Sequence, residues 1–118
     1  MFKPLFISIP IIFAIGCGEK EKVESAPSVS TGSTLWKSSC ASCHGADGQG
    51  LPELSPNLIG SEFIAKSSDE ELIEYITIGR KADDPNSVMN LEMPPKGGNP
   101  MLKENDILSI VAYIRTLQ

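Results

Sequence analysis

The sequence predicts an all-α domain, and three observations carry that expectation. Apolar residues recur at helical spacing in three separate segments, around Trp36, Leu72 and Ile110. No segment alternates apolar and polar residues as a half-buried strand does. Between the helices lie two long irregular stretches, 45–67 and 80–103, and loops of that length in a small domain need something to pack against.

The first helix is expected from about Ser33 to Ala41, with Leu35 and Trp36 as its apolar members. The second runs from Asp69 to Ile78. Ser68 and Glu71 have the spacing of a capping box at its start. Asp69, Glu70 and Glu71 suit the positive end of the helix dipole. Gly79 supplies the stop, followed by basic Arg80 and Lys81. Its apolar stripe is Leu72, Tyr75 and Ile76. The third helix is expected from Glu104 to Leu117, with Ile107, Ile110, Val111, Ile114 and Leu117 along one face.

Directly after the first helix stands Cys40-Ala41-Ser42-Cys43-His44. Cys-x-x-Cys-His is the spacing that attaches a c-type haem. Two thiols add across the two vinyl groups of the porphyrin. Residues three apart share one face of a helical turn, so both sulfurs reach the same ring edge. His44 then offers its imidazole to the iron as proximal ligand. The competing chemistries fail on ligand count. A structural zinc site takes four Cys or His ligands; with Cys17 at the end of an apolar N-terminal run, only Cys40, Cys43 and His44 remain, and zinc would need a carboxylate as well. An iron–sulfur cluster typically takes four thiolates. A thioredoxin-like pair belongs in a βαβ setting, which is missing from the pattern.

A net charge of −5 and an isoelectric point near 4.8 argue against nucleic acid as a partner. Residues 1–16 place one basic residue, Lys3, before an apolar run of about a dozen residues. That run is too short to cross a bilayer core of about 30 Å and suits an export signal. Its end, Phe13-Ala14-Ile15-Gly16-Cys17, resembles the lipobox of bacterial lipoproteins, although that family prefers Leu where Ala14 stands. The resemblance implies lipidation at Cys17 and a membrane-anchored, extracytoplasmic (periplasmic) protein. Residues 17–31 are polar, charge-balanced and Ser-rich, as a disordered tether would be. The folded domain is expected over 32–118, with an apolar cofactor compensating for a small core.

Over essentially all of that domain the sequence resembles a class I cytochrome c. Gly32 and Trp36 precede Cys40 where the family places a Gly and an aromatic on its N-terminal helix. Ile110 and Tyr113 stand where its C-terminal helix supplies an aliphatic and an aromatic. Ser55-Pro56-Asn57-Leu58 resembles the family's Pro-Asn-Leu turn. Met93-Pro94-Pro95-Lys96-Gly97-Gly98 resembles the segment that carries its axial Met, and Val111-Ala112-Tyr113-Ile114-Arg115 resembles a common ending. One departure is Lys103, where the family usually has a Ser or Thr cap; its loss would cost about 1 kcal/mol. The resemblance implies one covalent haem c in a three-helix fold with long loops. It also implies a close crossing of the first and last helices at Gly32, Trp36 and Tyr113.

With a single His, the sixth iron position falls to something else. The mature candidates are Met89, Met93 and Met101. The resemblance selects Met93, and it nominates the Pro56 carbonyl as acceptor for the second nitrogen of His44. Lys37, Lys66, Lys96 and Lys103 are candidates for the rim of the haem edge. His–Met ligation raises the potential and closes the coordination sphere. The implied role is a monomeric electron carrier, not an enzyme, between a quinol-oxidising complex and a terminal oxidase or reductase. Two alternatives stay open: a permanent haem subunit of a larger oxidase or dehydrogenase, and an open-site haem enzyme or sensor.

Overall fold

The computed structural model describes residues 25–118. The export signal, Cys17 and most of the expected tether lie outside the described residues. Five α-helices follow in order: α1 Val29–Ser39, α2 Ala41–His44, α3 Glu62–Lys66, α4 Asp69–Ile78 and α5 Glu104–Arg115, with a short 3-10 turn at Pro95–Gly98 before α5. Pairing of extended backbone among the described residues is limited to two isolated bridges, Leu51 with Ser55 and Arg80 with Met93.

α1 begins four residues before its expected start, so residues 29–31, assigned from sequence to the end of the tether, are helical. The cause is a cap: the Ser28 hydroxyl accepts from the Thr31 N–H at 3.1 Å. Ser28 N–H also donates to Ser109 Oγ on α5 at 3.1 Å, which ties the start of α1 into the domain. α3 occupies part of the stretch expected to be irregular. Ser61 caps it, and Ile64 is its one buried side chain. α4 matches expectation at both ends. Ser68 Oγ accepts from Glu71 N–H, and the Glu71 carboxylate accepts from Ser68 N–H. Lys103 costs α5 less than its side chain implies, because the Asp106 carboxylate accepts from the Lys103 N–H at 2.9 Å.

α1 packs most extensively on α5, and α4 on α5. The crossing of α1 and α5 is backbone-close. A Cβ on Gly32 would overlap the Ser109 carbonyl and stand 3.0 Å from Tyr113 Cβ, so only Gly fits there. Trp36 and Tyr113 meet beside it with ring centroids 5.6 Å apart. The core is Trp36, Ile64, Leu72, Ile76, Leu102, Ile107, Ile110, Val111 and Ile114, joined by buried Cys40. Arg115 locks α5 to the α3–α4 corner. It donates to the carbonyls of Ile64 and Ser67 at 2.6 Å each and pairs with Asp69 at 2.8 Å.

Candidate haem site

The Cys-x-x-Cys-His segment folds as the one-turn helix α2, set off from α1 by Cys40. Cys43 and His44 N–H groups both point back to the Cys40 carbonyl, at 3.2 and 2.9 Å. This turn puts Cys40, Cys43 and His44 on the same cavity. Cys40 is buried and Cys43 exposed. Burial, aided by the neighbouring Cys43, pushes the Cys40 thiol up to about 11, so it stays protonated at neutral pH.

The turn is held from three sides. Trp36 Nε1 donates to the Gly45 carbonyl at 3.0 Å, and its ring lies 5.7 Å from the His44 ring. Ser55 Oγ donates to the Cys43 carbonyl at 2.6 Å. Gly50 N–H donates to the His44 carbonyl at 2.8 Å. Burial lowers the His44 pKa, which favours the neutral imidazole that a metal requires.

The cavity has a volume of about 510 Å³, within the roughly 300–1,000 Å³ of cofactor and ligand sites. Cys40, Cys43 and His44 stand on its lining. So do Met93 and Pro94 from the 80–103 segment, Ile76 from α4, and Ile110 and Ile114 from α5. Met93 is fixed through its backbone. Its N–H donates to the Arg80 carbonyl and its carbonyl accepts from the Arg80 N–H, both at 2.8 Å. Gly79, at φ +76°, lets the end of α4 abut this strap; a Cβ there would stand 2.7 Å from Pro95 N.

The residues fit a haem. The cavity joins two thiols and an imidazole to an apolar lining and a thioether. His44 Nδ1 is buried with no hydrogen-bond partner, so that nitrogen is not committed to another protein group. Among the described residues no group of three or more His, Cys, Asp or Glu side chains is placed to hold a metal ion by itself, as a zinc site would require.

Residues 29–118 match the family model described as Cytochrome c. The chain belongs to the cytochrome c family. Haem c is its cofactor, attached covalently, and Cys40 and Cys43 are the cysteines of its one Cys-x-x-Cys-His motif. Among curated relatives, the chain is 32% identical over 92 residues to the cytochrome bc1 complex cytochrome c subunit of Mycobacterium leprae, covering 78% of this chain and 28% of that one. It is equally 32% identical over 92 residues to the cbb3-type cytochrome c oxidase subunit FixP of Sinorhizobium medicae, covering 75% of this chain and 30% of that one. The chain therefore spans less than a third of the length of these relatives. Among solved structures, cytochrome CL of Methylophaga aminisulfidivorans superposes with a TM-score of 0.55 at 26% identity, over 75% of this chain and 51% of that one. The c-type cytochrome KustC0563 shares the fold at a TM-score of 0.53 and 24% identity, over 74% of this chain and 96% of that one.

In this cytochrome c domain the other sequence candidates sort by position. Met89 and Met93 both line the cavity. Met101 does not and is 80% exposed. Pro56 lines the cavity, but His44 Nδ1 makes no hydrogen bond to its carbonyl or to any other group. None of Lys37, Lys66, Lys96 and Lys103 lines the cavity. Lys66 pairs with Glu62, and Lys96 Nζ donates to the Leu102 carbonyl. The cation on the cavity wall is Arg80, which the sequence reading placed only as a helix-stop residue. Its signal was the adjacency Gly79-Arg80 at the end of a helix whose stripe already contained Tyr75.

Proposed function

We propose that this domain transfers electrons through a single haem c ligated by His44 and Met93, making and breaking no bond in a substrate. The observation that carries the reading is that His44 and Met93 line one cavity together with both cysteines. A thioether carries no proton and binds either iron state without a change in charge. The Arg80–Met93 bridge and the two prolines after Met93 hold that segment in place, and with the sixth position filled the iron has no site for a substrate. His44 Nδ1 completes its bonding on the Pro56 carbonyl in the loaded protein. Relatives named as subunits of bc1 and cbb3-type oxidase complexes support respiratory partners, a quinol-oxidising complex on one side and a terminal oxidase or reductase on the other. The lipobox-like segment supports an extracytoplasmic protein anchored through Cys17. Among the described residues no helix is long and apolar enough to cross a membrane.

The optical spectrum of the ferric protein tests the ligation. Met93→Ala abolishes the sulfur-to-iron charge-transfer band and lowers the potential, while Met89→Ala and Met101→Ala keep both. Loss of the band in Met89→Ala alone would move the ligand to the other methionine on the cavity. Its absence from the wild-type protein would return the site to an enzyme or sensor.

A second reading is a permanent haem subunit of a larger oxidase or dehydrogenase. It is favoured by relatives that are themselves named subunits and of which the match covers less than a third. Co-purification with a partner in stoichiometric amount separates it from a free carrier.

A further inference from the structure

An arginine and a tyrosine share the wall of the haem cavity with donors that bind nothing. Arg80 Nε and the Tyr75 hydroxyl oxygen are both closed off from solvent, and neither has a hydrogen-bond partner. Buried polar groups are ordinarily satisfied, so an orphan needs an explanation. Both residues line the cavity. They are also fixed relative to each other. The Arg80 guanidinium lies 4.1 Å from the Tyr75 ring centroid and 5.3 Å from that of Phe63, and the two rings are 5.3 Å apart. Its recorded hydrogen bond is from Nη1 to the Asn86 carbonyl at 2.6 Å.

A guanidinium stays charged in proteins. Arg80 is partly buried, with Nε closed off, and shielding a guanidinium from water without an anion is unfavourable. Burial pulls Arg80 below its usual pKa, with Asp84 opposing the change, yet the two form no ion pair. The ion pairs among the described residues lie elsewhere, at Lys66–Glu62 and Arg115–Asp69. The wall thus offers a fixed cation and a hydroxyl, the donor set that takes a carboxylate. A haem brings two carboxylates of its own.

We propose that Arg80 and Tyr75 seat a carboxylate of the bound haem, and that Arg80 thereby couples that carboxylate to the backbone of Met93. The second half rests on the bridge already described, in which Arg80 exchanges both backbone hydrogen bonds with Met93. One residue binds the cofactor with its side chain and holds the methionine strap with its main chain. Electrostatics sets the direction of the effect. An unpaired carboxylate favours the more positive ferric iron, and pairing it with a cation shifts the balance towards ferrous. Arg80 and Tyr75 are positioning residues that raise the potential.

The inference rests on the haem filling this cavity, and the test keeps the two apart. The haem-loaded protein is compared with Tyr75→Phe, Arg80→Gln and Arg80→Lys by equilibrium redox titration and by the resonance Raman bending mode of the haem carboxylates. Tyr75→Phe keeps the ring and removes only the hydroxyl. Arg80→Gln is expected to move the equilibrium about tenfold towards ferric, about 59 mV for a one-electron couple. Tyr75→Phe moves it the same way by less, and both variants shift the carboxylate mode. Arg80→Lys recovers most of the potential. Unchanged potential and mode in Tyr75→Phe and Arg80→Gln overturn the proposal and leave the pair a packing stack. A potential shift with an unmoved carboxylate mode overturns it as well. If Arg80→Gln yields no loaded protein, Tyr75→Phe and Arg80→Lys decide by the same readouts. A wild-type protein lacking covalent haem defeats the functional reading instead.

Discussion

Gly32→Ala is the substitution whose effect follows most directly from the packing of α1 on α5. A Cβ built on Gly32 overlaps the Ser109 carbonyl oxygen and stands 2.5 Å from its carbon. Carbon atoms rest at about 3.5–4.0 Å, so the helices must part by at least about 1 Å. What is struck is backbone, so no rotamer change relieves it. A gap of 0.5–1 Å forfeits about a quarter to a half of the dispersion well at each contact it opens. The contacts beside this crossing are those of Trp36, Ile110 and Val111, each at most 2% exposed. Overpacking of this kind costs up to about 3 kcal/mol. Alanine returns about 1 kcal/mol of helix propensity over glycine. The net loss is about 2 kcal/mol, or a fall in Tm of about 8–16 °C for a domain of this size. Thermal unfolding of the haem-loaded protein, followed by far-ultraviolet circular dichroism, reads it. Ser33→Ala, one residue along, adds no Cβ and should stay within about 0.5 kcal/mol of wild type. An unchanged or raised Tm for Gly32→Ala would refute the close-crossing argument.

Arg115→Ala should cost about 2 kcal/mol in chemical denaturation, because it strands the Ile64 and Ser67 carbonyls at the α3–α4 corner. Arg115→Lys should recover little of it, since an ammonium lacks the fork that reaches both carbonyls at once. A haem-free Cys40→Ala, Cys43→Ala variant should lose most of its helicity, because the cavity of about 510 Å³ is then left without its cofactor in a small core; native-like circular dichroism would contradict this. Membrane-extracted protein should have an intact mass beginning at Cys17 with acyl groups added, and a soluble unmodified chain would remove the anchor.

Legibility from sequence tracked the strength of the local signal. α4 could be read to the residue because Ser68, Glu71 and Gly79 each punctuate it by a backbone-specific mechanism. The start of α1 could not. Its first turn, Val29 to Gly32, buries no apolar stripe, and the Ser28 cap sits among other serines. α3 was invisible because five residues with one buried side chain fall below any periodicity test. In the site, motif spacing sufficed for Cys40, Cys43 and His44, whose grouping is local. Met93 needed a family pattern, because cavity lining depends on how 80–103 folds back over α4. Met101 and Met89 look alike in sequence, yet Met101 is exposed and off the cavity while Met89 is half-buried on its lining. Arg80 and Tyr75 were missed for the same reason: their partnership exists only once the helix end and the strap meet.

The α1–α5 crossing also sets when in synthesis this domain can close. α1 and the haem-attaching turn leave the ribosome first among the described elements, and α5 leaves last. The largest helix contact therefore joins the two ends of the domain and cannot form until nearly all of it has been synthesised. Until then Trp36 has neither Tyr113 nor Ile110 beside it, and the cavity lacks the wall that α5 supplies. A chain still lacking α5 therefore leaves Cys40 and Cys43 beside a cavity without one of its walls.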